Sequence, residues 1–599
     1  MARKLGSVLA ASCLTLLAGS ASAQQLRFTK TTTGGLAVTG NTLGLSKALD
    51  QNGPGTRDSI GTFIALDPTS VDNVPLSSSN PWPAGTTWDW TKNGSTNTLS
   101  LPAGATVEYA ELIWAGSYQY VTDVSAHLGT AVTLRAGGAS VSVPPSTATA
   151  LTIAQQSTTG FFANYYMRSA DVTSFVASQG AGAYTVSGVP ATEDTTINSL
   201  NAAGWTLVVA YTASASPARN ISIFVGGSFV DENSQQDYTF SGFCTPPAGP
   251  VEGTAIVTAL EGDANLTGDQ LLIGQTTGGS FVNLSAPNNP ANNFFASQIN
   301  GASGQLDTGG SFGTVNHDAA GGVNVSGARQ GWDLTTVQLS SADGKLANGQ
   351  TSAVLRNITT GDSYVPVLGA FTIDVTAPDF SDGSSLLTST QVVTDGDTFT
   401  VTAVIKNSGD VPADIEFVMP LDSGLSLAGY TTDGNSGDIG GQAVSGGMLS
   451  TGVAAGTIAS GQSRTVVLTL DVVGPPATGS DFPVEVSWNY SYVSCVGQPA
   501  ISAVWPMPSA TVSYEAAAPD AGAGGAGNAG GAGGSAGAGA SAASGGAAAT
   551  GGGGKGVPDS GDDGSCACSA PGAGRSTGAS LLAGLGMLLG LWRTRRRRG

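Results

Sequence analysis

From Val484 to Tyr492 every even position is apolar and every odd one polar: Val484, Val486, Trp488, Tyr490 and Tyr492 alternate with Glu485, Ser487, Asn489 and Ser491. Successive side chains of a strand point to opposite faces, so this pattern reads as a strand with one buried side. Phe399, Val401, Ala403 and Ile405 repeat it before the turn Lys406-Asn407-Ser408-Gly409, and Val466, Leu468, Leu470 and Val472 repeat it again. Strands of this kind, separated by turn signals at roughly ten-residue spacing, predict a β-sandwich over 376–514.

The segment 24–375 is also β-rich, with candidate strands at Val107–Trp114, Trp205–Tyr211, Ile221–Val225 and Ala255–Leu260. One short helix is expected over Ser169–Ser178, with Asp171 in its first turn and Gly180 beyond its end. Cys244-Thr245-Pro246-Pro247 offers a boundary, so the region is either one body or two, 24–240 and 241–375. No repeat of 20 to 50 residues occurs, which removes propellers and solenoids. Between Glu515 and Gly556 the chain reduces to Ala, Gly and Ser, a composition with nothing to bury, so 515–565 is expected to be a disordered tether. The fold class expected is all-β: tandem β-sandwich domains, jelly-roll-like and then immunoglobulin-like, followed by the tether and a short C-terminal apolar helix.

Both ends carry sorting information. Arg3 and Lys4 precede an apolar run from Leu5 to Leu17, and Ala21-Ser22-Ala23 supplies the small-x-small pattern of signal peptidase, which makes 1–23 a signal peptide cut between Ala23 and Gln24. A lipoprotein cysteine at Cys13 would leave that cleavage pattern unused. At the other end Cys566-Ala567-Cys568 precedes an apolar run from Gly578 to Trp592 and the cluster Arg593-Thr594-Arg595-Arg596-Arg597-Arg598. Arginines stay on the cytoplasmic side of a bilayer, so the chain before them is exported. The apolar run is shorter than the roughly 20 residues of a comfortable span, which suits a temporary stop. A plain single-pass anchor is the alternative.

Of the 22 Lys and Arg, two lie in the signal peptide and six follow Cys568, leaving 14 against 42 acidic residues and a net charge of −28 on the exported part. Such a surface repels nucleic acid and anionic membrane, and it favours divalent cations. Only Cys244 and Cys495 lie outside the two terminal segments. In an exported chain they either pair or stay as two buried thiols.

Candidate chemistry is sparse. Only His127 and His317 exist, neither near a Gly-x-Ser-x-Gly nucleophile turn, and His317 is expected at the surface. No His-Glu-x-x-His or Cys-x-x-Cys pair suggests zinc, and no phosphate-binding loop follows a strand. Calcium is the ion the sequence favours: Glu261, Asp263 and Asp269 fall within nine residues at a strand end, and hard cations take oxygen ligands from such loops. The competing reading is a solvated turn. Trp82, Trp88 and Trp90 would either stack on sugars or pack a sandwich edge.

Three resemblances add to this. Asp395-Gly396-Asp397-Thr398-Phe399-Thr400-Val401, Ile405-Lys406-Asn407-Ser408-Gly409 and Phe417-Val418-Met419-Pro420-Leu421 resemble the DUF11 family, immunoglobulin-like repeats of bacterial surface proteins, although the Asp that usually precedes the Pro is absent; the resemblance implies a structural spacer. Cys566 to Gly599 resembles the MYXO-CTERM sorting signal of myxobacteria. That implies cleavage by a membrane sorting protease, lipid attachment at Cys566 or Cys568, and cell-surface display. Glu111-Leu112-Ile113-Trp114 and Asn292-Asn293-Phe294-Phe295 resemble segments of large myxobacterial surface proteins, some labelled as adventurous-gliding-motility proteins.

The expected function is therefore that of a non-enzymatic adhesive or structural protein of the cell surface, anchored at the outer membrane or transiently at the inner one, with an unidentified surface ligand, no nucleic-acid partner and no cofactor other than calcium. The alternative is a secreted carbohydrate-active enzyme. Buried carboxylates with aromatics in a groove would favour the enzyme.

Overall fold

The longest strand, Gln24–Thr42, ties the first part of the molecule together. Its first half, Gln24 to Thr33, pairs antiparallel with Ala218–Gly226, and its second half, Gly34 to Thr42, pairs antiparallel with Ala203–Thr212. Through these two pairings a nine-stranded sheet extends outward to Leu151–Gln156 at one edge and Trp332–Ser340 at the other. The computed structural model describes residues 24–46, 59–72, 82–120, 122–156, 162–193, 201–213, 216–433, 435–436 and 444–516. All of these belong to one unit, Met1–Pro519; the expected signal peptide, apolar helix and sorting signal, and the expected tether beyond Ala516, lie outside the described residues.

Two smaller sheets cover the nine-stranded one, which makes the region all-β and layered. The sheet containing Val132–Ala136 and Gly182–Ser187 packs Leu134, Tyr184 and Val186 with Leu112, Trp114, Trp205 and Leu207. The sheet containing Gln235–Ser241 and Ser352–Ile358 packs Tyr238, Phe240 and Leu355 with Val257, Phe371 and Ile373. A third cluster joins Ile113 and Val208 to Ile223, Ile256 and Ala370, on the opposite faces of the same strands. Strands buried on both faces are continuously apolar rather than alternating. Ala203–Thr212 and Val365–Asp374 have that character. The two parts separated at Cys244 thus share one sheet.

The helix is shorter than the sequence suggests. Ser169 to Asp171 end the strand Phe162–Asp171, and the helix spans Thr173–Gln179. Asp171 nevertheless supports its start, since its Oδ1 accepts from Thr173 N at 2.9 Å and Thr173 Oγ1 at 2.6 Å. Gly180 closes it at a φ of +68°, a conformation that favours glycine.

From Thr376 onward a second sandwich forms. Phe399, Val401, Ala403 and Ile405 pack with Val466, Leu468 and Leu470 against Ile415, Phe417 and Trp488 of the facing sheet. The turn after Ile405 is fixed by buried Asn407, whose Oδ1 accepts from Gly409 N at 3.0 Å and Asp379 N at 3.2 Å. Its Nδ2 donates to Val411 O at 2.8 Å and Ile458 O at 3.3 Å. The alternating run at Val484–Tyr492 is not one strand: Asp481–Val484 pairs in one sheet and Ser487–Tyr492 in another. The alternation continues through this corner because Val484, Val486 and Trp488 all remain on the core side.

Candidate metal centre

The strand Glu252–Leu260 ends in the acidic loop, and its partners determine what that loop meets. Leu260 is paired with Trp332 on one side and Val365 on the other. The loop is thereby brought beside Asp333, the second residue of Trp332–Ser340, and Asp362, just before Val365–Asp374. Glu261 turns the chain with a φ of +60°, uncommon for a residue with a side chain. Ser297 secures the turn: its Oγ donates to Gly262 O at 2.7 Å and accepts from Gly331 N at 2.8 Å. Asn293 Nδ2 donates to Ala264 O at 2.8 Å.

Glycines allow the closest approaches. A side chain at Gly262 would begin 2.5 Å from Asp333 Oδ2 and 2.8 Å from Phe295 O. At Gly268, where φ is +130°, it would begin 2.5 Å from Gly361 N. Thr360 N donates to Gly268 O at 3.0 Å, which fastens the loop carrying Asp362 to the acidic loop.

Glu261, Asp263 and Asp362 bring carboxylate oxygens within 4.8 Å of one another, and all three residues are buried. Oxygens that share one calcium at 2.3–2.6 Å lie at most roughly 5 Å apart, so the spread fits a single ion. Asp269 and Asp333, both 0% exposed, stand beside them. Asp333 Oδ1 accepts from Ala296 N at 3.0 Å and Gln298 N at 2.8 Å, while its buried Oδ2 has no hydrogen-bond partner. Asp269 Oδ2 accepts from Phe295 N, and its buried Oδ1 has no partner. Burial pushes the Asp333 carboxyl up to about 8, with Asp362 adding to the rise. Burial, and next the nearby Asp362, likewise raise Asp269 well above the usual carboxylate range. A cation at this position would relieve the accumulated negative charge.

The expected loop is thus deeply buried, not a solvated turn. Glu261 and Asp263 belong to the tight cluster, Asp362 stands where the sequence suggested Asp269, and Asp269 flanks it. Neither Asp333 nor Asp362 was singled out in the sequence, although Asp333 leaves a signal, a lone carboxylate between Trp332 and Leu334 in an otherwise uncharged strand.

The remaining candidates are dispersed. Cys244 and Cys495 form a disulfide with a Cα–Cα distance of 5.5 Å. Ala23, Cys566 and Cys568 lie outside the described residues, and Gln24 opens the longest strand. His317 is buried rather than at the surface: its Nδ1 accepts from Val325 N at 2.8 Å, and burial holds the imidazole down at about 4, hence neutral. Trp82 is core, packed with Leu45 and Ile64. Trp90 lies against His127 with ring centroids 5.2 Å apart, and exposed Trp88 donates from Nε1 to Asp72 Oδ1 at 3.1 Å. Among the described residues no helix is long and apolar enough to cross a membrane.

No family model matches the sequence, and no curated protein matches it. Among solved structures, the N-terminal domain of the Streptococcus gordonii adhesin Sgo0707 is similar over 82% of this chain and 92% of its own, at 9% identity and a TM-score of 0.19. A Corynebacterium diphtheriae protein described as membrane-anchored is similar over 82% of this chain and 98% of its own, at 9% identity and a TM-score of 0.15. The glycoside hydrolase domain of Endo-D from Streptococcus pneumoniae R6 is 11% identical over 48% of this chain, with a TM-score of 0.12. This chain spans only 33% of that protein's length. At these TM-scores none of the three carries an argument about function.

Proposed function

We propose that this protein is exported, processed at Cys566 or Cys568 and held on the cell surface as a structural or adhesive protein without catalysis. The observation that carries the reading is the disulfide between Cys244 and Cys495, because such bonds persist in oxidising compartments outside the cytoplasm. The N-terminal leader pattern and the −28 charge of the exported part accord with it. Surface motility is the process its gliding-type resemblance implies.

The carbohydrate-active alternative gains little from the carboxylate cluster. A glycosidase holds its two acids on either side of an accessible bond. Here the acids are closed in: Glu261 is 3% exposed, Asp362 6%, and Asp263, Asp269 and Asp333 0%.

Labelling intact cells with a membrane-impermeant amine reagent, followed by mass spectrometry, tests the proposal. Labelled peptides from 24–514, the first of them beginning at Gln24, are expected. Protein labelled only after lysis would overturn surface display, and release of sugar from a panel of polysaccharides by the purified chain would overturn the non-catalytic reading.

A further inference from the structure

We propose that Glu261, Asp263 and Asp362 bind one calcium ion inside the first layered region, with Asp333 and Asp269 buried beside it, so that the ion joins the loop after Glu252–Leu260 to the loop before Val365–Asp374. The first support is the convergence of the three carboxylates to within 4.8 Å in buried surroundings. A second, separate observation is the state of Asp333: its side chain is fully buried, Oδ1 is satisfied by two backbone N–H groups, and Oδ2 faces the backbone between Glu261 and Asp263 without a partner. Asp269 shows the same division, one oxygen held by Phe295 N and the other buried without a partner. A buried polar atom with no partner is costly, and a fold that carries two such carboxylate oxygens beside three convergent carboxylates is built for something positive between them.

The donor set chooses the ion. All three ligands are hard oxygens, and among the described residues no His or Cys atom joins the cluster. Zinc and copper sites favour nitrogen and sulfur, and magnesium keeps several waters in a strict octahedron. Calcium takes six to eight oxygens in irregular arrangements, including bidentate carboxylates, and suits a closed cluster of this kind. The ion would act as a staple: loops that already meet through Thr360 N to Gly268 O would acquire shared ligands.

The test uses the purified full chain, stripped with chelator and returned to metal-free buffer, with calcium chloride alone as the probe. One calcium per chain is expected to survive gel filtration by elemental mass spectrometry, the Tm should climb with calcium concentration, and terbium bound in its place should be sensitised by Trp332. Asp362→Asn should weaken binding by at least about tenfold and abolish the calcium-dependent rise in Tm. Without calcium it should melt no lower than the parent, because it relieves repulsion among buried acids; a residue with a purely structural hydrogen-bonding role would lower it. Asp343→Asn, at an exposed turn, should respond to calcium like the parent. Should Asp362→Asn not fold, Glu261→Gln in the same assays and the metal content of the parent decide. A parent that retains no divalent ion and whose Tm is indifferent to calcium, magnesium and manganese would overturn the site, and equal loss of response in Asp343→Asn would move it to the surface.

Discussion

Cys244 and Cys495 are 251 residues apart in sequence, yet their Cα atoms lie 5.5 Å apart and their sulfurs are bonded. The bond joins the shared-sheet region to the sandwich that begins at Thr376. Thr376 itself reinforces the junction, donating from N at 3.0 Å and from Oγ1 at 3.1 Å to the carbonyl of Cys244. Closing so long a loop restricts the unfolded chain strongly, so replacing both cysteines by Ser should cost ~3–5 kcal/mol. Urea unfolding of parent and double variant measures this, and identical midpoints would show that the bond contributes nothing to stability.

Trp488 and Asn489 divide the two faces of one strand. Trp488 is fully buried, edge-on to Phe417 at 5.2 Å, and its Nε1 lies 3.3 Å from Met507 Sδ. Asn489 is half-buried and reaches Glu416 Oε2 at 3.4 Å. Trp488→Ala should therefore cost ~3–5 kcal/mol, and Asn489→Ala less than about 0.5 kcal/mol. Comparable losses at the two positions in chemical unfolding would contradict this assignment of faces.

Gly204 is a site of close approach. A β-carbon there would lie 2.3 Å from Cγ and Cδ2 of Trp332, a buried ring that has no room to retreat. Gly204→Ala should destabilise by ~1–3 kcal/mol or more. Gly429→Ala, whose added carbon would meet only Thr469 at an ordinary 3.4 Å, is the control and should melt close to the parent. Calorimetry of the two variants separates overpacking from a general intolerance of alanine in strands.

How much of this could be read from residues alone depended on whether a strand buries one face or two. Phe399 to Ile405 and Val466 to Val472 have one solvent-facing side, and their alternation marks both the strands and their cores. Ala203–Thr212 is covered on both sides, so period two disappears and only β-branched and aromatic content remains as a signal. The corner at Glu485-Val486 was hidden because core-facing residues keep their phase through it. At the metal centre, Glu261 and Asp263 were visible as a dense local cluster. Asp333 and Asp362 arrive through pairings of Leu260 with Trp332 and Val365, contacts across 72 and 105 residues that no local pattern records.

His317 introduces a pH dependence. Burial lowers its folded value to about 4 from an ordinary 6.5, outweighing hydrogen bonding with Gln330 and the Arg329 backbone, which would raise it. Below pH 6.5 the unfolded chain takes up a proton that the folded chain refuses. The stability owed to the neutral imidazole is therefore complete above pH 6.5 and is lost as pH falls toward 4, by about 3 kcal/mol in total. His317→Gln should remove that loss. The buried carboxylates, whose values are raised, slope the other way, so the quantity to measure is the difference between parent and variant in urea unfolding at pH 7, 5.5 and 4.5. A difference constant with pH would show that the imidazole does not titrate on unfolding.

The sorting reading rests on Cys566 and Cys568. If either is the site of processing and lipid attachment, surface-extracted protein lacks Leu581 to Gly599 and enters membranes through acyl chains rather than a helix. Each buried methylene contributes about 0.8 kcal/mol to such anchoring, so a single chain holds weakly and two hold well. Replacing both cysteines by Ala should leave the tail attached and retain the protein at the inner membrane, because the arginine cluster does not cross. Mass spectrometry of both fractions reads the outcome directly. A peptide containing Trp592 recovered from surface-displayed material would mean that the segment is an ordinary anchor, and the cysteines would then have no part in display.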